Sequence, residues 1–136
     1  MKKTIHPSKK PKCFFIDIDG VIIEQDRGSA YPYSLGEPTC LTPGTIEKIT
    51  AWSLAGHTII ITTARKECWR KETEVELKRH RILYDKLIMG LPTGQRILIN
   101  DAKPEDRTYP MAIAYTLSRN EGLIRVDEGD LANYET

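Results

Sequence analysis

The stretch KCFFIDIDGVIIEQD, residues 12–26, places two carboxylates at the end of an apolar run. Residues 13–18 form a short, largely apolar segment that is soon followed by Gly20, a pattern that predicts a buried β-strand. Asp17 and Asp19 lie two positions apart at the end of this strand. Because carboxylates are rarely buried unless they are paired or bound to a cation, their position requires a chemical explanation.

The composition is that of a folded domain with balanced charge. The 136 residues fit one domain, which we expect to span 1–136 with a basic lead-in at 1–11 and a loop or flap at 24–42. Hydrophobic residues make up 40% and charged residues 29%, so the chain can bury a core. The formal net charge of +1 gives no reason to expect nucleic acid or an anionic membrane as a partner.

The cysteines and the N-terminus indicate a cytoplasmic protein. Cys13, Cys40 and Cys68 are far apart, and no CxxC pair suggests a zinc site or a disulfide framework. A reducing cytoplasm is therefore the simplest location. The basic N-terminus is not expected to be a signal peptide, since Asp17 and Asp19 interrupt the apolar run that would follow. No run approaches the roughly eighteen apolar residues that a membrane span needs.

Hydrophobic patterns predict further strands and two helices. Thr42 and Pro43 are typical of a helix start, with Thr42 as the N-cap, and Gly56 is typical of its end. A charged amphipathic helix is expected at 66–81. Strands separated by helices or long connections pair in parallel, so we predict an α/β layered sheet. Its further strands are expected at 58–62, 86–90, 96–101 and 111–117.

Polar residues follow three of the predicted strands. Asp17 and Asp19 follow the first, Thr62 and Thr63 end the second, and Asp101 ends the fourth. Right-handed crossovers put the carboxyl ends of parallel strands at one edge, where ligands bind. A carboxylate cluster without Cys or His suits Mg²⁺, the usual partner of a phosphate. A carboxylate beside that ion can also act as a nucleophile through an aspartyl-phosphate.

Three segments together resemble the haloacid dehalogenase superfamily of phosphohydrolases. FFIDIDGVI, residues 14–22, is similar to its DxDG signature, and IIITTAR, residues 59–65, to its second motif. ILINDAKPED, residues 97–106, is similar to its fourth motif. The resemblance implies a three-layer, Rossmann-like parallel sheet with helices on both faces and no large cap domain. The short length resembles the capless phosphatases of sugar-phosphate and capsule biosynthesis.

The resemblance also implies a role for each matching residue. Asp17 matches the nucleophile, and Asp19 matches the general acid that later activates water. Thr62 matches the hydroxyl that binds a phosphoryl oxygen, with Thr63 as its neighbour and possible substitute. Asp101 matches a metal ligand that holds Mg²⁺ together with Asp17 and the backbone carbonyl of Asp19. Whether Asp106 or Asn100 also contributes to the metal site is left open.

The sequence departs from the family at the lysine of the third motif. Leu91 stands where that lysine is expected, and Lys86 begins its strand, away from the catalytic edge. A cation is still required, because the transferring phosphoryl group carries negative charge. Lys103 is the first candidate as a catalytic residue because it lies just past Asp101. Arg65, as a substrate-binding residue, and Arg96 come next.

The function predicted from these features is a Mg²⁺-dependent phosphatase that hydrolyses a small phosphomonoester through an aspartyl-phosphate intermediate. The expected binding partner is its substrate, a sugar phosphate or a similar small phosphorylated metabolite. The sequence is also compatible with a homo-oligomer. A polynucleotide end phosphatase is the first alternative, since an uncapped site admits a strand end, but the balanced charge argues against nucleic acid. The second alternative is a non-catalytic domain of the same fold that binds a partner or a phosphate ligand. The absence of the third-motif lysine is the reason to consider it.

Replacing the candidate lysine tests the charge argument. Lys103→Ala is expected to lower turnover at least about tenfold, or roughly 1.4 kcal/mol of transition-state stabilisation, because the phosphate loses its counter-charge. Lys86→Ala is the matched control and should change turnover little. Steady-state kinetics with p-nitrophenyl phosphate measure both. A larger loss in Lys86→Ala would show that the strand-start lysine supplies the charge.

Overall fold

The computed structural model of the protein describes residues 10–25, 39–102 and 110–126. The main elements are β1 (Cys13–Asp17), α1 (Thr45–Leu54), β2 (Thr58–Thr62), α2 (Arg70–Arg79) and β3 (Lys86–Ile88). Short 3₁₀ turns lie at Glu67–Trp69 and Leu123–Arg125. The predicted α/β architecture with a parallel sheet is confirmed, and no large cap is seen among these residues.

The described chain divides into two compact units. One comprises Pro11–Thr93 and Leu117–Arg125 and contains all three strands and both helices. Among the described residues, the other comprises 94–102 and 110–116 together with Lys10 and Val126.

The sheet has the order β1-β2-β3, with both pairings parallel. Successive strand side chains point to opposite faces, so the register assigns each residue to one face. One face is buried: Ile16 pairs with Ile61, Ile61 pairs with Leu87, and none is more than 9% exposed. On the other face Phe15 is 55% exposed and Ile88 40%.

Helix α1 packs its apolar side against the sheet. Trp52 stacks on Phe14 of β1, with ring centroids 4.1 Å apart and an interplanar angle of 11°. Ile49, one turn earlier on the same side, is fully buried. Offset stacking of this kind adds about 0.5–1.5 kcal/mol beyond the area buried. The helix therefore fixes the position of β1 as well as its own.

The start of α1 differs from the prediction. The helix begins at Thr45 and its N-cap is Gly44, with φ of +75° and no side-chain cap hydrogen bond. Thr42 is not the N-cap because its hydroxyl is used elsewhere. It bonds to the carbonyl oxygen of Val21 and to the hydroxyl of Thr45. The Thr42 side chain thus ties the loop after β1 to the first turn of the helix.

The two ends of the predicted flap at 24–42 are held together by backbone hydrogen bonds. The N–H of Glu24 donates to the carbonyl of Cys40 at 2.8 Å. The N–H of Thr42 donates to the carbonyl of Ile22 at 2.9 Å. Residues 26–38 lie outside the described residues.

The fourth and fifth strands predicted from sequence are wrong for this structure. Residues 96–101 and 111–117 carry no strand assignment. Ile97 and Ile99 are 78% and 86% exposed, unlike side chains buried in a sheet. Apolar character favours a strand only where a neighbouring strand supplies hydrogen bonds and packing, and the described residues give these segments no such ladder.

Two further sequence features can be compared with the described residues. Cys13, Cys40 and Cys68 are all free and exposed, as expected for a chain without a disulfide framework. No described helix has both the length and the apolar character needed to cross a bilayer.

A close backbone approach predicts that Gly122 cannot be replaced. Gly122 has φ of +90°, and a Cβ there would lie against the carbonyl oxygen of Pro43 and 2.7 Å from its nitrogen. Gly122→Ala is expected to cost about 3 kcal/mol of unfolding free energy, from positive-φ strain plus the clash. Gly56→Ala is the matched control, since Gly56 has the same φ with nothing within 4 Å of its Cβ. It should cost only about 1–2 kcal/mol. Urea unfolding measures both, and equal losses would contradict the close approach.

Candidate functional site

The carboxyl ends of β1 and β2 bring two predicted site residues side by side. Asp17 and Thr62 are register partners, and Thr62 is in turn paired with Ile88 of β3. Neighbouring strands lie about 4.8 Å apart, so the Asp17 and Thr62 side chains can face one ligand. The Asp17 carboxylate is exposed, and its Oδ1 accepts a hydrogen bond from the N–H of Ile18 at 3.0 Å.

The loop after β1 is a tight turn that fixes the backbone around Asp19. The carbonyl of Ile18 accepts from the N–H groups of Ile22 and Ile23 at 2.9 and 3.1 Å. Gly20 adopts a φ of +83° within this turn, a conformation that favours glycine. Its N–H donates to the carbonyl of Ile23 at 2.8 Å. The backbone of the DxDG segment is therefore held independently of any ligand.

Asn120 fixes the same loop from outside, a contact that the sequence analysis missed. Its N–H donates to the carbonyl of Gly20 at 2.8 Å. Its side chain bonds both backbone groups of Gln25, accepting from the N–H at 2.8 Å and donating to the carbonyl at 3.0 Å. Asn120 adopts a φ of +66°, which asparagine tolerates better than most residues. A lone Asn in a polar turn gives no sequence signal for this role.

The two threonines at the end of β2 have different environments. Thr62 is half-buried at the strand end, beside Asp17. Thr63 is 1% exposed, and its Oγ1 accepts from the N–H of Arg65 at 3.0 Å. Its backbone carbonyl accepts from the N–H of Leu91 at 3.1 Å. Of the two predicted phosphate-binding hydroxyls, Thr62 is therefore the accessible one.

Arg65 was predicted to bind substrate, and the structure places it in a buried network instead. Its side chain is 3% exposed. Nε donates to Asp19 Oδ2 at 3.0 Å and Nη2 donates to Asp19 Oδ1 at 2.8 Å. This bidentate pairing is the geometry in which guanidinium and carboxylate interact most strongly. The Asp19 carboxylate is 28% exposed, so it retains access to solvent while Arg65 does not.

The other side of the Arg65 guanidinium is bound by helix α2. Nη1 donates to Glu76 Oε1 at 2.6 Å and to Thr73 Oγ1 at 3.3 Å. Burial lowers the pKa of Arg65, but the hydrogen bonds and charges of Asp19 and then Glu76 outweigh it and raise the pKa above its ordinary value. Arg65 is therefore a permanent cation shared by two carboxylates.

Glu76 is a second residue that the sequence analysis missed, although its position gave a signal. The buried residues of α2 are Thr73, Glu76 and Leu77, at the spacing of one helix face. A glutamate on the buried face of an otherwise charged helix requires a partner, because burying an unpaired carboxylate is costly. The pattern thus indicated a buried cation nearby, which the structure identifies as Arg65.

Lys86 lies toward the amino end of the sheet, as its sequence position suggested. It begins β3 and is paired with Ile60, two residues before the end of β2. Its charge acts at the start of β1: burial and then Asp85 raise the pKa of the Cys13 thiol, and Lys86 opposes them. The Lys86 charge therefore acts near Cys13, at the opposite end of β1 from Asp17.

The remaining cation candidates lie in other parts of the sequence, after β3. Arg96 is exposed and its Nη1 donates to the carbonyl of Gly94 at 3.0 Å, within the second compact unit. Lys103 and Asp106 lie outside the described residues.

The residues predicted to hold a metal are divided between the two compact units, with Asp17 and Asp19 in the unit that contains the sheet. Asp101 and Asn100 are exposed and belong to the unit Gly94–Thr116, where the Asn100 side chain donates to the carbonyl of Met111 at 3.1 Å. Among the residues that the structure describes, no group of three or more His, Cys, Asp or Glu could hold a metal ion. Binding of Mg²⁺ by Asp17, Asp19 and Asp101 remains a prediction.

Comparison with known proteins identifies a similar fold. No protein-family model matches the chain, and no curated protein sequence matches it. A solved structure of a Pnkp1/Rnl/Hen1 complex contains a chain with a TM-score of 0.53 and 24% identity, covering 64% of this chain and 30% of that chain. A structure of the Pnkp1/Rnl/Hen1 RNA repair complex gives 0.53 and 24%, covering 63% and 28%. The protein thus spans less than a third of the chains it resembles, and the likeness concerns the fold alone.

Proposed function

We propose that this protein is a phosphomonoester hydrolase of the haloacid dehalogenase type. The observation that carries the proposal is the pairing of Asp17 with Thr62 at the carboxyl end of the sheet, with Asp19 held two residues further on. An exposed carboxylate beside a half-buried hydroxyl at this edge suits an attack on a phosphate whose oxygen the hydroxyl binds. A small sugar phosphate is the proposed substrate, since the net charge of +1 offers little to a polyanion.

The chemistry proceeds in two steps. In the first, an Asp17 oxygen attacks phosphorus, the bond to the leaving oxygen breaks, and Asp19 donates a proton to that oxygen. In the second, a water oxygen attacks phosphorus, Asp19 accepts a proton from that water, and the bond between the Asp17 oxygen and phosphorus breaks, which releases inorganic phosphate and the Asp17 carboxylate. The Thr62 hydroxyl donates a hydrogen bond to a phosphoryl oxygen throughout.

Two cations complete the proposal. Mg²⁺ held by Asp17, Asp101 and the backbone carbonyl of Asp19 would reduce repulsion between carboxylates and phosphate. Lys103 would add the positive charge that the third-motif position lacks. Both assignments rest on residue type and sequence position.

Removing the nucleophile is the direct test. Asp17→Asn keeps the side-chain shape but loses the attacking charge, so turnover of p-nitrophenyl phosphate should fall by several orders of magnitude. Excess chelator should abolish wild-type turnover, and added Mg²⁺ should restore it. Glu47→Gln, an exposed carboxylate in the first turn of α1, is the matched control and should leave turnover unchanged.

Three results would contradict this assignment. Residual turnover of Asp17→Asn above about 1% of wild type would exclude Asp17 as nucleophile. Full activity in chelator would end the metal-dependent reading. Wild-type protein that hydrolyses no phosphomonoester would favour a non-catalytic binding domain of the same fold.

A polynucleotide end phosphatase is the second candidate, favoured by the fold likeness to a chain of an RNA repair complex. The two substrate classes differ in their response to salt, because binding to a nucleic acid backbone releases counterions. Activity on an end-phosphorylated oligonucleotide would then fall at least about tenfold between roughly 50 and 200 mM salt. Activity on a sugar phosphate, the matched control, should hardly change. We expect the sugar phosphate to be the better substrate, and faster turnover of the oligonucleotide at low salt would reverse this assignment.

A further inference from the structure

We propose that Arg65 is a positioning residue that orients the Asp19 carboxylate, and that helix α2 anchors it through Glu76 and Thr73. This inference rests on the proposed function, in which Asp19 transfers protons. It replaces the sequence-based assignment of Arg65 to the substrate. Arg65 would act on the reaction through Asp19 without touching the phosphate.

The contact with Asp19 fixes an orientation as well as a charge. The tight loop after β1 holds the Asp19 backbone but leaves its side-chain torsions free. Nε and Nη2 of Arg65 bind one oxygen each, at 3.0 and 2.8 Å, and so define the carboxylate plane. A lysine could neutralise the charge but could not hold both oxygens in a fixed fork. Each oxygen keeps a second lone pair, which can carry the proton that passes to a leaving group or accept a proton from water.

The contact with α2 gives this fork a rigid support. Nη1 of Arg65 is held by Glu76 Oε1 at 2.6 Å and Thr73 Oγ1 at 3.3 Å, on the buried face of the helix. The Glu76 carboxylate is 11% exposed and forms an ion pair with Arg65. All three hydrogen-bonding nitrogens of the guanidinium are therefore engaged, and the position of Asp19 depends on the position of α2.

Stability alone is a weak reason for this arrangement. Burying a charged group costs several kcal/mol per ion, and apolar residues of similar volume often stabilise such a site better than the Arg65–Glu76 pair would. The network runs from a helix to a carboxylate that remains 28% exposed at the candidate site. A role in orienting Asp19 explains why the network is buried at Glu76 and partly exposed at Asp19.

The test compares two leaving groups. p-Nitrophenol needs little protonation, whereas an alkyl alcohol needs a proton from Asp19 as it leaves. Arg65→Lys is expected to lower kcat for an alkyl phosphate such as glycerol phosphate about tenfold or more. The kcat for p-nitrophenyl phosphate should fall less than about threefold, with KM for both substrates little changed. A variant that merely loosened the fold would lose activity equally on both.

Two further variants sharpen the result. Arg70→Lys is the matched control, since Arg70 lies on α2 but is paired with Glu67 and Glu74 rather than with Asp19. It should leave kcat unchanged for both substrates. If Arg65 acts through Asp19, adding Arg65→Lys to Asp19→Asn should cost little beyond Asp19→Asn alone. If Arg65→Lys does not fold, Glu76→Gln replaces it and should show the same leaving-group selectivity to a smaller degree.

The outcomes separate this inference from the proposed function. Wild-type protein without turnover on either ester would overturn the proposed function, and the inference with it. Active wild type with equal losses on both substrates, or additive losses in the double variant, would overturn the inference alone. Selective, non-additive loss supports the positioning role.

Discussion

The parallel pairing of β1 with β2 is the constraint on which the candidate site depends. Its register places Asp17 opposite Thr62 and, through β3, Thr62 opposite Ile88. A shift of one residue would move every side chain to the opposite face and separate the carboxylate from the hydroxyl. The register is held by the buried face, where Ile16, Ile61 and Leu87 meet, and by α1 stacking on Phe14. Packing beneath the sheet thus positions groups at its edge.

The sequence predicted the elements that carry their own pattern. The bounds of β2, the start of β3 and the end of α1 just before Gly56 follow from apolar runs and a glycine with positive φ. It predicted the start of α1 two residues early, because the Thr42 hydroxyl bonds to the loop after β1 rather than capping the helix. Competition between two partners for one side chain is tertiary information that a linear pattern does not contain.

The fourth and fifth strands show a different limit. Residues 97–99 are as apolar as a strand interior, yet they are exposed and carry no strand assignment. A strand exists only as part of a hydrogen-bonded ladder, so composition alone cannot establish it. The candidate site was likewise predicted only in part. The Asp17–Thr62 pairing followed from the ends of the predicted strands. The contacts of Arg65 and Asn120 were missed because they depend on side-chain directions across long sequence separations.

The buried network also changes the charge balance of the site. Arg65 is shared between Asp19 and Glu76, so these three groups supply no free cation and carry a net negative charge whenever both carboxylates are ionised. Asp17 adds a further carboxylate at the exposed edge. A phosphate approaching this edge therefore meets more repulsion than the sequence suggested when Arg65 was a candidate to bind it. The positive charge that phosphoryl transfer requires must come from outside the network, and this is the physical reason why the proposed function includes both Mg²⁺ and a separate lysine.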